Sequence, residues 1–226
     1  MKNLKIVYGN GVCGDSKVVE DYNNDPLVIK KGKMRLMKNA FIRGCNLVKN
    51  NIMKECGVMY QSGALFSSMT LKQNVSLPLE LYSNYSEREI DEIASYKLAL
   101  TGLGGFDDFY PSEISGGMKK RAALSRALAL DPKIVYCDEP SAGLDPISSK
   151  RLDDLIIELN QTLGTTFVVV THELESIFNI GTNSIFLDGS VKNITGRGNP
   201  KDLLRNPPNE KIYEFLTRGN KNGKTA

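Results

Sequence analysis

Two apolar runs flank an amphipathic stretch in residues 133–172, and this pattern restricts the fold more than any other part of the chain. Ile134, Val135, Tyr136 and Cys137 form the first run and lead directly into two carboxylates, Asp138 and Glu139. A short, unbroken apolar run of this kind reads as a strand buried on both faces of a parallel sheet. After a loop holding Pro140 and Gly143, Asp145 can cap a helix with Pro146 in its first turn. Leu152, Leu155, Ile156, Leu159 and Leu163 then recur at helical spacing, so one face of that helix is predicted to be buried. Gly164 ends the helix, and the β-branched run TTFVVVT (165–171) stops at His172. Strand, helix and strand make one right-handed crossover unit, and open parallel sheets collect ligands at the carboxyl ends of their strands. Asp138, Glu139 and His172 all stand at such ends, and His172 is the chain's only histidine.

Around this unit the punctuation is regular. Ser115 can cap a helix whose Ala122, Ala123, Leu124, Ala127, Leu128 and Ala129 allow close packing until Asp131-Pro132 stops it. Segment 66–112 is predicted to be a mostly helical insertion, 66–120 when the glycine-rich start of the next helix is included. Its expected breaks are Pro78, the polar stretch 83–89, Gly102, Gly104, Gly105 and Pro111. Residues 185–196 (IFLDGSVKNITG) read as a hairpin turning at Asp188-Gly189, followed by short helices near 200–205 and 209–217. The tail from Gly219, and 220–226 in particular, is expected to be flexible.

The length of 226 residues suits one domain, and a net charge of +3 is too small to imply nucleic acid. Cys13, Cys45, Cys56 and Cys137 form no CxxC pair and have one histidine for company, which suggests neither a zinc site nor a disulfide framework. No apolar run approaches the roughly 18 residues that cross a bilayer. From Lys30 to Lys54 there are eight basic residues and no acidic one. That run reads first as a solvated loop and second as a surface for anionic lipid headgroups.

The chemistry these positions can perform is phosphoryl transfer, which needs phosphates neutralised, Mg²⁺ held and a water oriented in line. Asp138 can hold the metal, and Glu139 can act as general base on the attacking water. Ser115, Gly116 and Gly117 at a helix start offer a hydroxyl, unencumbered N–H groups and the positive end of a helix dipole to a phosphate. His172 can hydrogen-bond a γ-phosphate.

In this order, Gln61, SGGMK (115–119), YCDE (136–139), GLD (143–145) and His172 resemble the motifs of the ATP-binding cassette (ABC) ATPases, over about Cys56 to Gly219. The resemblance implies a P-loop NTPase-like α/β fold, with a parallel sheet and a helical insertion, over 1–219. It implies ATP and Mg²⁺ as cofactors. Gln61 would be the Q-loop residue that contacts the metal and senses a membrane partner. SGGMK, with Ser115, Gly116 and Gly117, would contact ATP held by the opposite subunit. Asp138 and Glu139 would be the metal and catalytic carboxylates, Asp145 would belong to the D-loop, and His172 would be the switch histidine. The strings VMYQSGALFSSMTLKQNVSLPLE, SGGMKKR, EPSAGLDPISS and GNPKDLLRNPPNEKIYEFLTRG look like the ATP-binding subunit of Mla-type, MCE-linked lipid transporters. That subfamily implies a homodimer of cassettes beneath a polytopic permease, on the inner face of the cell membrane, and no nucleic-acid partner. A non-transport ABC ATPase of DNA repair or translation would show a long heptad segment between motifs, which this chain lacks.

The beginning departs from that family. A P-loop reads G-x4-G-K-[ST], and the nearest string here is GNGVCGDS, from Gly9 to Ser16, with Asp15 where the lysine belongs. Asp15 would repel phosphate where lysine attracts it, a change of about 1 kcal/mol per charge pair at 4 Å in water and about 4 at an effective dielectric of 20. Lys17, two positions further along a helix, would point roughly 200° away. Segment 18–44 shows no amphipathic helix, and eight residues before Gly9 leave the antiparallel β part incomplete. Residues 1–44 are therefore expected to be an aberrant or degenerate P-loop region. A silent paralogue, a lost start or reading frame, and a divergent loop that still binds nucleotide all remain open.

Overall fold

The computed structural model describes residues 54–218 and the strand β1 (Leu4–Gly9). These fall into two compact units, residues 54–170 in one and β1 with residues 171–218 in the other. Most of the string Gly9 to Ser16, including Asp15, together with Lys17, segment 18–44, the basic run before Lys54 and the tail from Gly219 lie outside the described residues.

The first unit is built on three parallel strands, β2 (Cys56–Met59), β3 (Ile134–Asp138) and β4 (Thr166–Val170). β3 pairs with both others, Tyr136 standing opposite Val58 and Val168, and Asp138 opposite Val170. Val135, Tyr136 and Cys137 of β3 and Phe167, Val168 and Val169 of β4 are buried. The unbroken apolar runs follow from this, since neither face of these strands meets water. Burial pushes the Cys137 thiol up to about 12, so Cys137 is a packing residue and not a nucleophile.

Helix α4 (Pro146–Leu163) joins β3 to β4, with Asp145 as its N-cap and Gly164, at φ +68°, as its left-handed C-cap. Leu152, Ile156 and Leu159 form the predicted buried stripe. The Asn160 amide donates to the Thr165 carbonyl at 2.8 Å, and the Thr165 hydroxyl donates to the Pro132 carbonyl at 3.1 Å, which fixes the return into β4.

Among the described residues three further helices belong to this unit, α1 (Leu71–Tyr82), α2 (Glu87–Leu100) and α3 (Gly116–Ala127), with a 3₁₀ turn at Pro111–Glu113. Leu71, Val75 and Leu79 from α1 meet Ile90, Ala94 and Leu98 from α2, and Leu103, Ile114, Ala122 and Ala129 complete the cluster. Capping boxes start the first two helices, Thr70 with Gln73 and Ser86 with Glu89. Pro78 does not break the segment as its sequence predicts; it lies inside α1, which runs on to Tyr82. An interior proline costs about 3 kcal/mol, and fully burying a leucine or valine returns about 1.5–3 kcal/mol each, so the stripe Leu71, Val75 and Leu79 outweighs it.

In the second unit β1 pairs in parallel with β5 (Asn183–Asp188), which pairs antiparallel with β6 (Asn193–Gly198). Helices α5 (Leu174–Ile180), α6 (Pro200–Arg205) and α7 (Glu210–Leu216) accompany them. The hairpin is as predicted, but its left-handed residue is Lys192 at φ +51° and not Gly189. Asp188 instead organises the turn by accepting from the Ser190 N–H at 2.8 Å and from the Ser190 hydroxyl at 2.7 Å. The Lys211 ammonium, on α7, reaches the same carboxylate at 2.7 Å.

The hydrogen bond from Lys211, followed by those from Ser190, holds the Asp188 carboxyl well below the usual carboxylate range. A depressed folded-state pKa stabilises above the unfolded value, about 3.9, and that contribution disappears as pH falls towards the folded value. Thermal melts between pH 7 and pH 2 are therefore expected to show a shallower acid-side loss of stability for Asp188→Asn than for the parent protein. Identical slopes below pH 4 would show that the carboxylate plays no part. Among the described residues no helix is long and apolar enough to cross a membrane.

Candidate functional site

β3 delivers the two carboxylates to its carboxyl end. Asp138 is its last residue, and the Glu139 N–H donates to the Val170 carbonyl at 2.8 Å, extending the pairing with β4 by one step. Glu139 then turns sharply, at φ +47°. That region is costly for any residue but glycine, and such strain persists only where neighbours over-determine the backbone. Two donors converge on the Glu139 carbonyl: the Ala142 N–H at 3.2 Å and the Lys120 ammonium at 3.2 Å.

The same ammonium donates to the backbone carbonyl of Gln61. Gln61 follows β2 and opens a loop whose Gly63 (φ +74°) and Ala64 (φ +48°) are left-handed. Arg126 grips that loop from α3, donating to the Gly63 carbonyl at 2.8 Å and the Ala64 carbonyl at 2.7 Å. Burial lowers the pKa of both cations, while the nearby Glu139 and Asp138 charges draw that of Lys120 back up. The structure thus brings Gln61 and Glu139 together through the backbone, one ammonium serving both carbonyls.

Sequence reasoning singled out neither Lys120 nor Arg126. A lysine at 120 shares its helix face with the buried Ala123, Leu124 and Ala127, and a charged residue on a buried stripe was the available signal.

Ser115 caps α3 and accepts from the Met118 N–H at 3.3 Å. The N–H groups of Gly116 and Gly117 have no acceptor within the helix, as in any first turn. A side chain on Gly116 would lie 3.8 Å from Leu144, and one on Gly117 3.8 Å from Ser148. The glycine pair therefore stands beside the GLD segment and the start of α4.

Asp145, in that segment, accepts from the Ile147 N–H at 3.0 Å and the Ser148 N–H at 2.9 Å; a hydrogen bond from the Ser148 side chain, followed by these backbone bonds, lowers its pKa. Its carboxylate is committed to the cap. Asp145→Ala is expected to lower the urea midpoint, and Asp145→Asn, an equally good cap, to leave it in place. Equal midpoints for all three proteins would show that the cap carries no stability.

His172 belongs to the second unit. Its imidazole is exposed, with Nε2 4.0 Å from a Glu173 carboxylate oxygen. It lines a cleft of about 420 Å³ with Leu174, Glu214, Phe215 and Arg218, and Phe215 meets Phe186 edge-on at 5.3 Å.

The family model described as ABC transporter matches residues 25–142. The probable ribonucleotide transport ATP-binding protein mkl of Mycobacterium tuberculosis is 50% identical over 160 residues, covering 71% of this chain and 44% of that protein. The methionine import ATP-binding protein MetN of Haemophilus influenzae is 39% identical over 163 residues, covering 72% and 46%. The chain thus spans under half the length of these relatives. Among solved structures, the dimeric post-hydrolysis state of the ATP-binding cassette MJ0796 bound to ADP and Pi aligns with a TM-score of 0.63 at 23% identity, over 88% of this chain and 85% of that one. For cbiO1 from Clostridium perfringens, part of the transporter complex cbiONQ, the TM-score is 0.68 at 22% identity, over 96% and 85%. These two alignments bear on the fold, and both place it with ATP-binding cassettes.

Proposed function

The chain belongs to the ABC transporter family, and from that premise we propose that it binds and hydrolyses ATP for a transporter whose cargo is a phospholipid or similar lipid. The observation that carries the hydrolytic half is the shared ammonium of Lys120, which holds the Gln61 loop and the Glu139 turn side by side at the carboxyl end of β3.

The donor set fits Mg²⁺, which takes one or two protein oxygens, several waters and phosphate oxygens in place of a full protein cage. Asp138, half-buried at the strand end, and Gln61, exposed one loop away, are donors of that kind. When bound, the ion neutralises phosphate charge and orients the transferring group. Glu139 accepts the proton of the attacking water. Ser115, Gly116 and Gly117 present a hydroxyl and two N–H groups to phosphate oxygens, those of ATP on a partner cassette. Asp145 shapes the segment beside them, and His172 hydrogen-bonds the γ-phosphate.

The lipid half rests on the strings around Gln61, SGGMKKR and the C-terminal segment, which resemble Mla-type subunits. The relatives' names attach ribonucleotides and methionine to those proteins. The partners proposed are a polytopic permease and a second cassette, at the inner face of the cell membrane.

Asp15 favours a second reading, a silent cassette that docks without turnover. Titration with fluorescent ATP, followed by Mg²⁺-dependent phosphate release, separates the two: saturable binding with turnover supports the first, and no binding leaves the second. Mass spectrometry of lipid retained by the co-purified membrane complex addresses the cargo. Turnover stimulated by methionine or a ribonucleotide, with no lipid retained, would replace it.

A further inference from the structure

We propose that Lys120 is a positioning residue that locks the Gln61 loop and the Glu139 turn into one mechanical unit, keeping the candidate metal donor and the candidate general base in fixed relation. This rests on the nucleotide reading of the site given above. The geometry carries it. A single ammonium, on a residue 7% exposed, donates to two backbone carbonyls from segments distant in sequence, Gln61 and Glu139. Both acceptors are main-chain oxygens, so neither functional side chain is consumed by the tie.

A purely structural role does not call for a lysine here. The neighbours on its stripe, Ala123, Leu124 and Ala127, are small or apolar, and an uncharged side chain would fill the position without desolvating a charge. The cation is rewarded only by acceptors, and the acceptors present are the two loop carbonyls, with the Asp138 and Glu139 charges adding attraction. The strained backbone of Glu139 supplies the second reason. Its N–H is fixed to Val170, and at its carbonyl the Lys120 ammonium joins the Ala142 N–H, each at 3.2 Å, in holding the left-handed turn. Removing the ammonium lets the turn relax and swings the carboxylate. It also frees the Gln61 carbonyl, leaving that loop held by Arg126 alone among the α3 cations.

Two amides report on the tie directly. The Gly63 N–H donates to the Tyr60 carbonyl at 2.8 Å and the Ala142 N–H to the Glu139 carbonyl at 3.2 Å, one in each segment. Hydrogen exchange of the whole chain without nucleotide is expected to show both losing protection in Lys120→Met by on the order of tenfold, while α2 and β4 keep theirs. Lys120→Arg, which restores a cation with several donors, should recover both. A change at one amide alone, or at neither, overturns the proposal. Should Lys120→Met fail to fold, Lys120→Ala, which likewise removes every donor, supplies the same comparison.

In protein that turns over ATP, Lys120→Met is expected to lower kcat by at least about tenfold with KM within about twofold, since a misplaced base costs rate and not binding. An unchanged kcat beside loosened loops would also overturn the proposal. If the parent protein shows no phosphate release that depends on Glu139, the nucleotide reading fails, and the exchange measurement still decides whether Lys120 joins the segments.

Discussion

Glu139→Gln is expected to lower the kcat of Mg²⁺-dependent ATP hydrolysis by about 10²- to 10⁴-fold while nucleotide affinity stays within a few-fold of the parent. The amide keeps the size of the carboxylate and its place in the chain, and the turn is held through backbone atoms: the N–H to Val170, the carbonyl to Ala142 and Lys120. What the substitution removes is the ability to take a proton. A loss confined to kcat identifies an interaction made only in the transition state. Single-turnover phosphate release, with binding followed separately, checks it. Undiminished release in the variant would remove Glu139 from the reaction.

Gly57→Ala is expected to be the most damaging packing change in the first unit. A Cβ on Gly57 would fall 2.0 Å from the Ala127 carbonyl oxygen and 2.9 Å from its carbon, both backbone atoms at the end of α3, with Pro132 at 3.2 Å behind them. Flexible side chains yield to such contacts; a helix terminus does not. Either β2 leaves β3 or α3 shifts outward, for a cost of about 3 kcal/mol. For a chain of this length that corresponds to a melting temperature lower by roughly 6–12 °C. A melt within 2 °C of the parent, by roughly the same conversion, would mean that β2 and α3 do not approach so closely.

The parts of this fold that the sequence made legible are those governed by local rules. β3, α4 and β4 followed from an apolar run, a helical stripe, and the caps Asp145 and Gly164, each of which acts within a few residues of itself. Pro78 misled because a local rule was overridden by burial of a stripe that only the tertiary structure completes. The left-handed backbone at Glu139 had no sequence mark, since glutamate ordinarily avoids it. Lys120 and Arg126 were hidden for a similar reason: their acceptors are main-chain carbonyls of loops far along the chain, and no spacing in sequence encodes such a pairing. Gln61 and the carboxylates were found as types in an order; the backbone link between them belongs to the fold.

Helix α3 carries the serine–glycine cap at one end and Arg126 on its last turn. Twelve residues span roughly 18 Å, without proline or a break along the way. A body of that shape behaves as a push-rod. Its far end is tied to the Gln61 loop, the Arg126 side chain reaching the carbonyls of Gly63 and Ala64. A partner docked at the cap would bear on the segment that begins at Gln61 only by way of this helix and the Arg126 side chain.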